Sequence, residues 1–294
     1  MLMLLLISLM LGACATPGEY AGVPGEDRAG RLAAAGEHAD AARIYIGLAA
    51  EASVQERDRL TLLAVEQWLD AGDINRARSA FGGVARPTAV EVRNLWDTNS
   101  AALSLYGGEA DRALEILEGM SRQPLSERHR LRVEALRADA WIQKGDPARA
   151  VELMTQREMW LSDRRSIERN RQRLWQGLLA SDPQQLRAAA ELALDPEVRG
   201  WLQISSLAAS TGQQGIGWVN GAVRWRAANP THPAVTIIDE LPLPDEQTSD
   251  YPRQVALLLP LSGRWASAGW WCRGRRASAR RWACWPRRAG STPP

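Results

Sequence analysis

Three thiols and three imidazoles are the side chains with distinctive reactivity: Cys14, Cys272 and Cys284, and His38, His129 and His232. A cysteine beside a histidine would suit nucleophilic catalysis, and Cys/His groups at short spacing would suit a metal. Neither arrangement occurs. The histidines lie on separate segments, none sits in an HExxH sequence, and none adjoins a cysteine. GxSxG and Walker sequences are also absent. Gly215-Ile216-Gly217-Trp218-Val219-Asn220-Gly221 matches a dinucleotide loop only loosely, with the wrong spacing and no strand before it. Carboxylates are spread along every segment, as on solvated helix faces. The expectation is a non-enzymatic protein with no catalytic residue, no metal, no cofactor and no small-molecule substrate. What remains is Cys14, whose chemistry depends on its position.

Residues 1–11 are nearly all Met, Leu or Ile, and no charge appears before Glu19. A spanning helix needs about 20 apolar residues, so this run is too short to cross a membrane and reads as a signal peptide. It ends in Leu11-Gly12-Ala13-Cys14, which resembles a bacterial lipobox. That resemblance implies cleavage before Cys14, acylation of its thiol and new amino terminus, and a flexible tether over 14–25. Several acyl chains at about 0.8 kcal/mol per buried CH₂ make a lasting membrane anchor. Ala15 stands where an aspartate would imply inner-membrane retention, so the expected location is the outer membrane, facing the periplasm.

A repeat array occupies the middle of the chain. Ala35-Gly36-Glu37, Ala71-Gly72-Asp73, Gly107-Gly108-Glu109 and Lys144-Gly145-Asp146 align, with glycines 36, 36 and 37 residues apart. Five residues after each glycine stands an alanine: Ala41, Ala77, Ala113, Ala150. Seven before stands Ala29, Val65, Ala101 or Ala138, and nine after stands Tyr45, Phe81, Leu117 or Met154. The glycine ends one helix in a left-handed turn, and the acidic residue suits the start of the next. The alanine lets two antiparallel helices approach, and the bulky residue fills the groove against the next pair. Such a hairpin buries its apolar face only by stacking on neighbours. The pattern resembles the tetratricopeptide repeat at a slightly longer period. It predicts an all-α solenoid over 26–230, with the pattern weakening beyond residue 160. Trp68 and Trp141, each four residues before a glycine, are read as core.

Residues 231–252 read as a proline-rich linker, with Pro230 and Pro233 ending the last helix. The run Val255-Ala256-Leu257-Leu258-Leu259 then reads as a buried parallel strand, followed by a Pro-Leu-Ser-Gly loop. Over 253–269 this resembles the start of an α/β periplasmic-binding-protein-like domain. A lipobox, a tetratricopeptide-like array, a proline linker and VALLLPLSGRWASAG, in that order, resemble the LpoA family. The resemblance implies an outer-membrane lipoprotein that activates a class A penicillin-binding protein, its partner, and so promotes peptidoglycan synthesis. It also implies that the second domain carries the partner contact and the solenoid acts as spacer. The residues touching the partner are not readable from the sequence. The alternatives are a tetratricopeptide scaffold lipoprotein in outer-membrane assembly and a small-molecule sensor built on the second domain.

Residues 270–294 differ from everything before them. From Arg264 onward there are eight arginines and no carboxylate, and five of the 13 tryptophans lie at 265, 270, 271, 282 and 285. Three readings compete: a basic tail for membrane or nucleic acid, a site built on Cys272 and Cys284, and a shift of reading frame near Gly269. The last is favoured, because nearly all residues of the tail can be written with GC-rich codons and the chain has 35 Arg against the single Lys144. It predicts a disordered tail and a chain that lacks most of the activating domain. The formal net charge of +2 is therefore an average over unlike parts: residues 1–263 carry −6, with 28 basic and 34 acidic side chains. That excludes a strongly basic nucleic-acid binder. An apolar fraction of 45% excludes wholesale disorder, and three cysteines exclude a disulfide scaffold.

Overall fold

The computed structural model describes residues 25–122, 124–213, 215–240, 270–273 and 283–286. The lipobox residues Leu11, Gly12, Ala13 and Cys14 and the 255–259 run lie outside them. The chain divides into a unit over 1–243 and a second over 244–294.

The first unit is all-α. Four hairpins come first: α1 (Glu26–Ala35) with α2 (His38–Glu51), α3 (Val54–Asp70) with α4 (Ile74–Gly82), α5 (Val90–Tyr106) with α6 (Ala110–Ser121), and α7 (Glu127–Gln143) with α8 (Pro147–Glu158). In each, the turn glycine adopts φ between 77° and 88° at Gly36, Gly72, Gly108 and Gly145. There the following N–H reaches back to the fifth carbonyl before it, as in Asp73 N to Trp68 O at 2.9 Å. Asp73 and Asp146 accept from Arg76 N and Arg149 N and so cap α4 and α8. Glu37 and Glu109, at the same place in their units, make no side-chain cap. Ala41, Ala77, Ala113 and Ala150 are fully buried between the paired helices. Their small size sets the close approach, because any larger side chain would wedge the hairpin open.

The second half packs less regularly. It holds α9 (Arg164–Leu179), α10 (Pro183–Leu192), α11 (Pro196–Thr211), α12 (Ile216–Ala228) and α13 (Ala234–Glu240). Here α10 lies against α11 and α8, and α9 lies against α8, α11 and α13. Arg169 on α9 donates to Ala34 O on α1 at 3.3 Å, so the array curls until its first and fifth pairs touch.

One boundary needs correction. The linker expected to begin at 231 is helical through Glu240, and Ala234, Ile237 and Ile238 of α13 are buried. Pro230 and Pro233 do end α12. However, Pro233 also stands directly before α13, where a missing N–H costs nothing. His232 fixes this junction. Its Nε2 pairs with Glu197 O at 2.8 Å, its Nδ1 accepts from Ala234 N at 3.1 Å, and its ring meets Trp201 and Trp225 edge-on.

In the second unit, β1 (Trp270–Arg273) and β2 (Ala283–Pro286) pair antiparallel, with Cys272 opposite Cys284. The other residues of the 270–294 tail lie outside the described residues.

Candidate functional site

The distinctive polar constellation lies along the odd-numbered helices of the first unit. Glu66 and Asp70 stand one turn apart on α3, as do Arg128 and Arg132 on α7. The two rows meet: Arg128 to Glu66 at 2.9 Å and Arg132 to Asp70 at 2.6 Å. Further along, Arg173 on α9 pairs with Asp139 on α7. The ends of these helices are stitched as well. Tyr106 donates its hydroxyl to Leu69 O at 3.0 Å, and Gln143 donates Nε2 to Leu105 O at 3.0 Å. Each thus satisfies a C-terminal carbonyl of the preceding odd helix.

All of these side chains except Glu66 and Arg128 line a cavity of about 320 Å³. Its lining joins the apolar Leu69, Ala102, Leu105 and Leu136 to Asp70, Arg132, Asp139, Arg173, Tyr106 and Gln143. A second groove of about 560 Å³ shares Asp139 and Gln143 and runs on to Ser181 and Gln185.

The electrostatics follow from burial and pairing. Burial raises the Glu66 carboxyl, but Arg128 and Arg132 outweigh it and hold the group below the usual carboxylate range. Burial disfavours charge on Arg132, yet Asp70 and Glu66 more than offset that and its pKa is raised. Arg157 on α8 is the exception. It donates to two neutral oxygens, Leu131 O at 2.8 Å and Asn170 Oδ1. Burial first, then neighbouring Arg173 and Arg132, push it down to about 10.

The residues singled out from the sequence lie elsewhere. The four turn glycines and four alanines shape the hairpins and stand apart from the first cavity, while Gly145 lines the second groove. Trp68 is buried in the core. Trp141 is half-buried, with Arg149 and Lys144 over its ring at 4.2 and 5.3 Å. The glycines of the 215–221 stretch fall at the start of and within α12, where no phosphate loop can form. Among the described residues no His, Cys, Asp and Glu group could hold a metal, and no helix is long and apolar enough to cross a membrane.

The cavity residues were missed, although the repeat frame contains a signal for them. Positions six and two before the turn glycine read Glu66 and Asp70, Ala102 and Tyr106, Asp139 and Gln143. These two columns change type from unit to unit, while the residues just before them (Val65, Ala101, Ala138 and Leu69, Leu105, Ile142) stay apolar. That marks a face free of the packing constraint.

Fold and cavity together define an α-helical repeat protein of tetratricopeptide-like type, with a polar groove along its odd helices. The chain belongs to the LppC putative lipoprotein family, whose sequence model matches residues 37–278. It is 27% identical over 210 residues to penicillin-binding protein activator LpoA of Photobacterium profundum. That match covers 71% of this chain and 34% of the relative, so the chain spans about a third of that protein's length. The LpoA N-terminal domain from Haemophilus influenzae matches with a TM-score of 0.54 at 17% identity, over 67% of this chain and 88% of the domain. Full-length LpoA from the same organism gives 0.52 at 16% identity, over 67% and 36%. At these identities the likeness shows the helical-array fold.

Proposed function

We propose that this chain is an envelope lipoprotein anchored through Cys14 to the outer membrane, whose solenoid serves activation of a class A penicillin-binding protein. The observation that carries this reading is the family match across the array, with a relative named as a penicillin-binding protein activator. In this reading the solenoid is a spacer that holds a second domain away from the membrane. That domain favours the active state of the synthase by binding it preferentially. No catalytic residue is required.

An envelope pull-down with the tagged chain, joined to the second domain of a family member, tests the partner. Recovery of a class A synthase is the expected result, and recovery of outer-membrane assembly subunits in its place overturns the reading. The anchor is tested separately by metabolic labelling with palmitate. Label is expected on the wild type and absent from Cys14→Ser. A Cys14→Ser protein that still carries label, or remains in the outer membrane after high-salt washing, refutes the anchor.

A further inference from the structure

The odd-numbered helices of the array begin at one edge, where each hairpin passes to the next. Contacts tie that edge together. Arg59 near the start of α3 pairs with Glu26 at the start of α1 at 2.7 Å. His129 near the start of α7 stands 3.3 Å from Glu91 at the start of α5. Arg130 of α7 lies 4.7 Å over the ring of Trp160, in the connection from α8 to α9. Thr155 in the last turn of α8 donates to Glu197 at the start of α11 at 3.2 Å. Among the described residues eight large apolar side chains are exposed, and six of them stand on this edge: Val54, Val90, Met159, Trp160, Leu192 and Leu194. We propose that this edge, centred on Met159 and Trp160, rests on the phospholipid surface of the membrane that anchors the chain. The proposal depends on the anchor at Cys14 and adds to it a second, non-covalent contact.

Two observations choose a bilayer as the occupant. The first is the path of the chain. Helix α1 begins at Glu26 on the same edge, and 11 residues separate Glu26 from Cys14. A stretch of that length spans at most about 40 Å when fully extended. An acylated Cys14 therefore keeps this edge within reach of the bilayer, whereas the glycine turns lie a helix length further from the tether, about 25 Å.

The second observation is the make-up of the edge. Its apolar side chains stand at successive connections, with exposed Arg86, Arg122 and Arg130 between them. A protein partner is usually met by one contiguous apolar patch, while a bilayer admits each side chain separately. Trp160 is the residue type that settles at headgroup level, with an apolar ring and a polar N–H. Met159 beside it is 80% exposed. The turn that presents them is fixed by Trp160 N to Arg157 O at 3.1 Å and Leu161 N to Glu158 O at 3.0 Å. The charge around this turn favours anionic headgroups. Arg130 and Arg165 are exposed and form no ion pair among the described residues. Glu158 and Glu168 are held by Arg171 and Arg164, and Asp163 caps α9. Arginine stems can lie along the acyl boundary with their heads among the phosphates. Leu192 and Leu194 stand beside Glu191 and Asp195 and lack that attraction, so Met159 and Trp160 make the first contact.

The test uses the full acylated chain in vesicles of phosphatidylethanolamine and phosphatidylglycerol, with bromine on the acyl chains as a quencher of tryptophan emission. Wild type and Trp160→Phe carry the same anchor and the same other tryptophans, so the difference between their emission spectra isolates Trp160. That difference is expected to lose about half its intensity in brominated vesicles, as for a ring seated at the headgroup–acyl boundary. A chain that sediments with the vesicles but whose Trp160 emission is unquenched overturns the inference and leaves the anchor standing. A chain that stays in the supernatant overturns both. Sedimentation velocity in detergent covers the remaining occupant: a dimer that Met159→Ser returns to monomer would assign the edge to a second copy of the chain and overturn the lipid contact.

Discussion

His232 shows how one side chain can set a boundary. Both ring nitrogens are used by the neutral form, one as donor to Glu197 O and one as acceptor from Ala234 N. A proton on Nδ1 would oppose the Ala234 N–H and release the first turn of α13. Burial accordingly lowers the His232 pKa, and burial likewise lowers that of His129. Both groups are neutral in the fold, so the unfolded chain takes up protons first as the pH falls. The stability they confer is complete above the ordinary histidine value of about 6.5. It declines below that, until the depressed folded values are reached. The thermal midpoint should therefore drop between pH 7.5 and 5.5, and His232→Gln should flatten that slope; an unchanged slope would disprove the latch. The same ring explains Gly200, where an added Cβ would sit 2.5 Å from His232 Nε2. Gly200→Ala should cost about 1–3 kcal/mol in a urea melt, because neither the ring nor the α11 backbone can give way cheaply.

At the scale of elements, the four hairpins share one frame but differ in how their second helices begin. Asp73 and Asp146 cap α4 and α8, whereas Glu37 and Glu109 make no side-chain cap. Asp146→Ala is expected to lower stability by about 1 kcal/mol. Glu109→Ala should stay within about 0.5 kcal/mol, as for an exposed side chain without a cap. Equal losses in urea melts of the two variants would mean that charge at the helix start matters more than the cap bond. The hairpins were legible in the sequence because glycine, alanine and the bulky residue repeat in fixed columns, each imposed by a local turn or a single helix contact. The groove was not legible. Glu66–Arg128 and Asp70–Arg132 join residues 62 apart, a pairing that depends on how far the array curls, and no spacing rule encodes that. Helix α13 was missed for a different reason. Pro233 reads as a stop, yet a proline just before a helix is as compatible with a start.

Across the whole unit, apolar packing forms two clusters that meet within α7. Val133 and Leu136 belong to the first, with α1 to α6, while Ala138 belongs to the second, with α8 to α13. A stacked array communicates stability through nearest neighbours, so damage should spread along the stack and fade with distance. The polar closures work against that independence. Arg169 reaches Ala34 of the first hairpin, and Arg173–Asp139 ties α9 to α7. Trp175 decides which description holds. It is 1% exposed at the centre of the second cluster and packs on Trp218 at a centroid distance of 6.3 Å. Trp175→Ala removes a buried ring and should cost about 3–5 kcal/mol. Native-state hydrogen exchange locates the loss. If neighbour packing dominates, amides of α9 to α13 lose protection while those of α1 to α6 keep theirs. If the closures bind the curl into one cooperative body, protection falls equally in both halves. The first outcome is expected. The closures are single hydrogen bonds or partly exposed ion pairs, each worth about 1 kcal/mol, and the α7 junction joins the two cores through a single helix.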